Sequence, residues 1–203
     1  MKWYRIPLLV RFFYFNRIWR LSSENNTVYL TFDDGPNPEI TPFVLDFLKS
    51  EKIKATFFCV AENVIKYPEI YSRIIDEGHQ VGNHTYRHEN SFKVQKSRYL
   101  NSIKNASAYI HSTLFRPPYG KLSWSIARIL KKKYSIIMWT WLSYDYRNDV
   151  SIEEILSKSK LIQAGDILVL HDNQKIAEKQ KNLLPKLIYL LKERNFCFEK
   201  INV

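Results

Sequence analysis

Residues 27–60 read TVYLTFDDGPNPEITPFVLDFLKSEKIKATFFCV, and this stretch decides the fold class. TVYLTF is rich in β-branched and aromatic residues, as a strand requires, and it stops at DDGPNP, where one glycine and two prolines force a loop. ITPFVLDFLKSEK then carries apolar residues at helical spacing, with Thr41 as a candidate cap and Pro42 in the first turn. KATFFCV follows as a second buried strand. The unit is strand, helix, strand, and it sets Asp33 and Asp34 at the carboxyl end of the first strand.

The alternation continues outward from this unit. PEIYSRIIDEG reads as a helix, HQVGNHT as strand and loop, SFKVQKSRYLNSIKNASAYIHST as one long helix, and LFRPPYG as strand and loop. SWSIARILKKK, SIEEILSKSKL and QKNLLPKLIYLLKER are further helices, while YSIIMWTW, DILVLHD and CFEKINV are further strands. An α/β pattern of this kind predicts a parallel sheet or an α/β barrel. In such folds the loops at the carboxyl ends of the strands converge on one face. DDGP, NHTYRH, RPPYG, SYDY and LHD are therefore expected to meet there.

The chain has 203 residues, enough for one sizeable core, and its 45% hydrophobic and 25% charged content is ordinary for a folded domain. We divide it into a basic aromatic segment, residues 1–26, and one catalytic domain, residues 27–203. Lysine and arginine exceed acidic residues by 31 to 20, which favours anionic surroundings, but no nucleic-acid-binding signature accompanies the excess. No nucleic acid partner is expected, and a monomer is assumed. Cys59 and Cys197 lie far apart, and no disulfide is assigned. In MKWYRIPLLVRFFYFNRIWRL, Arg5, Arg11, Arg17 and Arg20 interrupt the apolar run too often for a spanning helix or a signal sequence. That segment either lies in a membrane interface or packs on the domain as a first helix. The expected location is the cytoplasm or the inner membrane surface.

NHTYRH sets His84 and His88 four apart, so that on a helix both imidazoles project from one face and share one cation. A carboxylate from Asp33 or Asp34 completes a two-histidine, one-carboxylate set that suits catalytic zinc or a similar transition metal. The other aspartate is then free to act as general base on water activated by the cation.

TFDDGP, HTYRH, RPPYG, SYDY and LVLH, in this order, resemble the five motifs of polysaccharide deacetylases of the NodB-homology, family 4 carbohydrate esterase type. The resemblance runs from Thr27 to the C-terminus and implies a distorted (β/α) barrel. It implies a hydrolase that removes N-acetyl groups from amino-sugar glycans such as peptidoglycan, chitin-like oligomers or exopolysaccharide. By resemblance Asp33 is the base, and Asp34, His84 and His88 bind a divalent metal, zinc in most relatives, with cobalt or another ion substituting. Arg116 holds the base, the backbone N–H of Tyr119 helps stabilise the oxyanion, His171 is the general acid, and Asp145 pairs with it.

The fourth motif departs from the family. Leu142 stands where a first aspartate is usual and Tyr146 where tryptophan is usual, while Val169 is smaller than the common leucine. These three are expected to reshape the pocket that receives the acyl group. His79 and His111 are assigned structural and surface roles. Trp139 and Trp141 alternate along a strand, so that one can face the groove and stack on a sugar ring while the other packs under a helix; core packing is the expectation for either, and Trp124 is a candidate wall of the groove. Two alternatives stand beside the enzyme reading: a carbohydrate-binding relative without catalysis, and a deacylase of a lipid-linked amino sugar, which the basic aromatic segment favours.

Overall fold

The computed structural model describes residues 2–23 and 25–203. Eight strands form one sheet: β1 (Thr27–Asp33), β2 (Thr56–Cys59), β3 (Gln80–Asn83), β4 (Leu114–Phe115), β5 (Ser135–Ile136), β6 (Trp141–Leu142), β7 (Ile167–His171) and β8 (Cys197–Glu199). Their order is β5-β4-β3-β2-β1-β7-β6, with β8 also on β1, and every pairing is parallel. This curled sheet with helices outside it is the distorted (β/α) barrel that the strand and helix alternation implied.

β1 is buried along its whole length, and its side chains divide by the two-residue period of a strand. Val28, Leu30 and Phe32 join the large cluster under helices α2 (Thr41–Ser50) and α8 (Ala177–Glu193), where Phe32 stacks on Phe57 at 5.1 Å. Tyr29 faces the barrel interior with Phe58, Leu114, Ile137 and Ile167. Thr31 and Asp33 follow Tyr29 on that inward side, so alternation alone delivers Asp33 to the mouth of the barrel. Register does the rest: Asp33 pairs with Phe58 on one side and His171 on the other, and Cys59, Asn83 and Phe115 follow across β2, β3 and β4. The strands thus end in one layer.

β5 and β6 are the two edges of this path, and residues 2–23 fill the seam between them. Ile6 N–H donates to Thr140 O (2.9 Å) and Leu142 N–H to Tyr4 O (3.0 Å) on the β6 side. Ile18 N–H donates to Ile136 O (2.8 Å) and Met138 N–H to Ile18 O (2.7 Å) on the β5 side. The exposed backbone edges that would invite pairing with another chain are covered. Between these arms lies α1 (Leu8–Phe13), none of whose residues is fully buried. Residues 2–23 are therefore not uniformly packed: the arms are part of the barrel and the helix is not. Among the described residues no helix is long and apolar enough to cross a membrane.

Several local expectations are corrected. Thr41 does not cap α2, because Ile40 holds the N-cap position; the Thr41 hydroxyl instead accepts from Asn37 N–H (2.6 Å) and donates to Asp172 (2.7 Å). The long helix over residues 91–113 shrinks to α5 (Lys96–Ala106), since Asn90 and Ser91 use their side chains on Phe92 N–H and Lys121 O and so turn the chain before it. A short helix, α3 (Ala61–Lys66), precedes α4 (Pro68–Asp76). YSIIMWTW is not continuous strand: it breaks at residues 137–140, where the chain crosses the seam from β5 to β6. The remaining α-helices among the described residues are α6 (Trp124–Leu130) and α7 (Ile152–Lys158).

Trp141 anchors β6 to the helical layer, fully buried, with its indole N–H donating to Lys158 O at 3.2 Å. Trp141→Ala should lower stability by about 3–5 kcal/mol, read as a reduced urea midpoint by circular dichroism.

Candidate active site

The strand ends turn sharply, and the turns carry the polar side chains. Asp34, Thr85, His88 and Tyr119 all have positive φ, between 56° and 83°, a left-handed conformation that non-glycine residues adopt at a cost of about 1–3 kcal/mol each. His84 and His88 therefore do not project from a helical face as their spacing suggested. They lie in a coil after β3, wound back on itself at Thr85 and His88, with ring centroids 5.0 Å apart. Asn83 holds this coil by accepting Thr85 N–H on its side-chain oxygen at 2.8 Å.

Asp33 is buried and meets the Arg116 guanidinium, itself fully buried, at 2.7 Å. Every nitrogen of that guanidinium has a partner: Nη1 donates to Asp33 Oδ1 and Thr31 Oγ1, both at 2.7 Å, Nη2 to Met138 O at 3.1 Å, and Nε to Ile137 O at 3.4 Å. Its carbon stands 4.0 Å over the Phe58 ring. Burial holds the Arg116 pKa below its ordinary value and Asp33 partly offsets this. An arginine without the carboxylate would be an uncompensated charge in the barrel.

Next to this pair, one oxygen of Asp34 and the Nε2 atoms of His84 and His88 lie 3.8 and 3.2 Å apart, with all three donor atoms within 4.8 Å of one another. Asp34 Oδ1 is buried and has no hydrogen-bond partner, while Oδ2 accepts from Asn173 Nδ2 at 2.9 Å. The His84 Nδ1 atom is 2.8 Å from Arg116 O, a bond that requires the proton on Nδ1 and leaves the Nε2 lone pair towards Asp34. Burial lowers the His84 pKa to about 4, outweighing Asp33 and Asp34, so the ring is neutral at pH 7. An orphaned carboxylate oxygen facing a neutral imidazole is a poor hydrogen-bonding arrangement and a suitable one for a cation. Two imidazoles and a carboxylate fit zinc or a similar divalent ion.

Across β1, His171 Nδ1 lies 2.7 Å from Asp145 Oδ1, and its backbone N–H donates to Asp145 Oδ2 at 2.8 Å. Burial disfavours the imidazolium, but the charge and hydrogen bond of Asp145 outweigh it, with Asp34 and Asp33 adding, and the His171 pKa rises to about 9. Two histidines of one site, one buried and one half-buried, are thus held in opposite states.

Asp33, Asp34, His84, His88, Tyr119 and His171 line one cavity of about 460 Å³. Trp139, Leu142, Tyr146, Val169 and Lys175 also line it, with Gly120 and Asn173. Leu142 and Val169 are buried and apolar, and the Tyr146 ring lies edge-on to His171 at 4.8 Å. All eleven residues of the five motifs given a role in the sequence come together here or, for Arg116 and Asp145, directly behind it. Trp139 packs partly against the core, as expected, and also faces the cavity against Gly120, where a Cβ would stand 2.5 Å from its ring. Trp141 is core as expected, while Trp124 stacks on Tyr14 at 5.7 Å and is not a cavity wall. His79 accepts Ala55 N–H at 3.1 Å, and His111 is exposed outside any helix.

Asn173, Thr31 and Asp172 were not read from the sequence. Thr31 sits two residues before Asp33 and so on the same strand face, a signal that was there to use. Asp172 lies so close to Gly35 that a Cβ there would meet its carboxylate at 2.5 Å, and burial raises its pKa to about 7. Nothing local marks it.

Residues 21–134 match the family described as polysaccharide deacetylase. The chain belongs to the polysaccharide deacetylase family. It is 30% identical over 193 residues to a peptidoglycan-N-acetylglucosamine deacetylase of Bacillus cereus, covering 91% of this chain and 90% of the relative. A chitooligosaccharide deacetylase of a Bradyrhizobium strain is 32% identical over 166 residues, 78% of this chain and 76% of the relative. The crystal structure of the Bc1960 peptidoglycan N-acetylglucosamine deacetylase, solved with a bound hydroxamate, superposes with a TM-score of 0.87 at 30% identity over 97% of this chain and 95% of that one. The deacetylase is thus an enzyme of the NodB-homology type.

Arg116→Ala in this deacetylase should cost at least about 3–5 kcal/mol, because Asp33 is left buried and unpaired. Arg116→Lys, which keeps the charge and loses the fork, should recover part of that loss in urea unfolding and leave turnover low.

Proposed function

We propose that this protein hydrolyses the N-acetyl amide of an amino sugar within a glycan, releasing acetate and the free amine. The observation that carries the reading is the presence, in one cavity, of a carboxylate clamped by arginine and a histidine held protonated by a second carboxylate. Those are the base and the acid that amide hydrolysis requires. The relatives named for peptidoglycan and chitooligosaccharide substrates support an amino-sugar glycan.

Asp33 takes a proton from water as the water oxygen attacks the carbonyl carbon. Arg116, whose Nη1 is shared between Asp33 and the Thr31 hydroxyl, fixes its direction. His171, with Nδ1–H given to Asp145, offers its other nitrogen's proton to the departing nitrogen, so that the C–N bond breaks to a neutral amine. Asp34, His84 and His88 would hold a divalent cation, zinc or cobalt by donor chemistry, which supplies Lewis acidity towards water and carbonyl. The backbone at Tyr119 borders the developing oxyanion. Leu142 and Val169 give an apolar wall for the acetyl methyl group, and Tyr146 narrows the entrance beside His171. A binding-only relative has no need of two buried, fully paired acid–base couples.

Asp33→Asn should reduce turnover about a hundredfold or more while bound metal, measured by elemental analysis, is retained. His84→Ala should lose the metal itself. Because activity needs the His171 imidazolium, the basic limb of the pH–rate profile lies near its pKa; Asp145→Asn removes the charge that raises it, and the limb should move about one to two units to lower pH. An unmoved limb would separate Asp145 from His171. The proposal as a whole is tested by acetate release from N-acetylglucosamine oligomers and bacterial wall glycan, after chelation and after zinc or cobalt is restored. Metal-restored release supports it, and a folded, metal-loaded protein that releases nothing overturns it.

A further inference from the structure

We propose that the α1 tip is a docking element for an anionic phospholipid surface, in which Leu8, Leu9, Phe12, Phe13 and Phe15 enter the bilayer interface and Arg5, Arg11 and Arg20 meet lipid phosphate.

The first observation is an apolar projection that the fold holds out in water. The five side chains named are 66% to 76% exposed, four of them on α1, which adds no residue to the core, and Phe15 just beyond it. Such a cluster is costly in a monomer and marks a contact surface. It is not loose, because both arms are bonded to the seam edges, Trp19 Nε1 donates to Tyr14 O at 3.0 Å, and Arg17 reaches Leu122 O at 2.5 Å. Arg17 also lies 4.4 Å over the Tyr14 ring, whose other partner is Trp124, and Phe15 packs on Trp124 at 5.8 Å. The tip is thus braced against α6, with its apolar side chains left outside.

The second observation is the cation cleft at its base. Arg5, Arg11 and Arg20 line a cleft of about 510 Å³ together with Leu8 and Gln163. The carboxylate that faces them is Asp166, fully buried and paired with Arg5. Arg20 turns to the Ala164 carbonyl, and Arg11 Nε is buried without a partner. Three guanidiniums against one carboxylate leave an excess of positive charge bordered by Leu8, the first of the exposed apolar residues.

Together these select the partner. A bilayer interface offers phosphate at the depth of the arginines and hydrocarbon just beyond it, which is the order in which the tip presents its residues. A second copy of this chain, joined tip to tip about a two-fold axis, would set these arginines against one another. A neutral amino-sugar chain offers no anion for them. The net charge of +11 adds long-range attraction to an anionic surface. The docking surface lies apart from the cavity residues, so it stands or falls separately from the hydrolytic reading.

The full chain is sedimented with vesicles of phosphatidylcholine alone and with vesicles containing about one-third phosphatidylglycerol. Binding to the anionic vesicles, at least about tenfold stronger than to the neutral ones, is expected. Phe12→Ser with Phe13→Ser, which leaves the charge unchanged, should weaken that binding about tenfold or more, and Arg11→Glu should remove most of the preference for anionic lipid. Both variants should keep their circular dichroism and their hydrolysis of soluble oligomers. Absence of vesicle binding by the folded wild type overturns the proposal. So does binding unaffected by the phenylalanine substitutions, which would be the pull of net charge alone. A concentration-dependent dimer that those substitutions abolish, without vesicle binding, would assign the surface to a second copy.

Discussion

The Arg116–Asp33 pair is the constraint on which the rest of the structure depends. A guanidinium with no solvent exposure needs all its hydrogen bonds met inside the barrel. Those partners come from β1 through Thr31 and Asp33 and from the seam through Ile137 and Met138. Arg116 follows β4 directly, so one side chain ties the middle of the sheet to its crossing point. The curl of the sheet and the position of the base are consequently one problem. A flatter sheet would leave the arginine unpaired, and an unpaired arginine would displace Asp33.

A second consequence of burial is the division of labour between histidines. His84 and His171 are both largely removed from water, which by itself disfavours the charged form of each. The backbone carbonyl of Arg116 fixes a neutral tautomer on His84, whereas Asp145 sets a full negative charge against His171. Neighbours rather than residue type decide that one presents a lone pair and the other a proton. Asp145 grips both the ring and the backbone N–H of His171, so charge and orientation are controlled by the same carboxylate.

The basic aromatic segment joins these themes. A sheet that curls without closing leaves two edges, and here the segment's arms cover both by pairing with residues 136–142. Those same residues supply two of the carbonyls that Arg116 needs. The segment therefore supports, at one remove, the layer that holds the catalytic carboxylate, even though its own helix contributes nothing to the core.

The sequence by itself determined the order of strands and helices, the barrel class, and the identity of the residues that gather at the strand ends. These are local or periodic properties: alternation buries β1, glycine and proline end it, and each polar motif falls where a strand stops. Tertiary structure alone decided how the motifs are oriented. His84 and His88 converge through left-handed turns rather than helical spacing, because the Asn83 side chain holds Thr85 N–H and the Arg116 carbonyl beyond the neighbouring strand holds His84. Thr41 serves Asp172 instead of capping its helix, and Trp139 rather than Trp141 reaches the cavity. The physical reason is common to all three. Which of several permitted partners a polar or aromatic group takes depends on what the closed barrel brings beside it, and residues far apart in the chain share no local signal of that meeting.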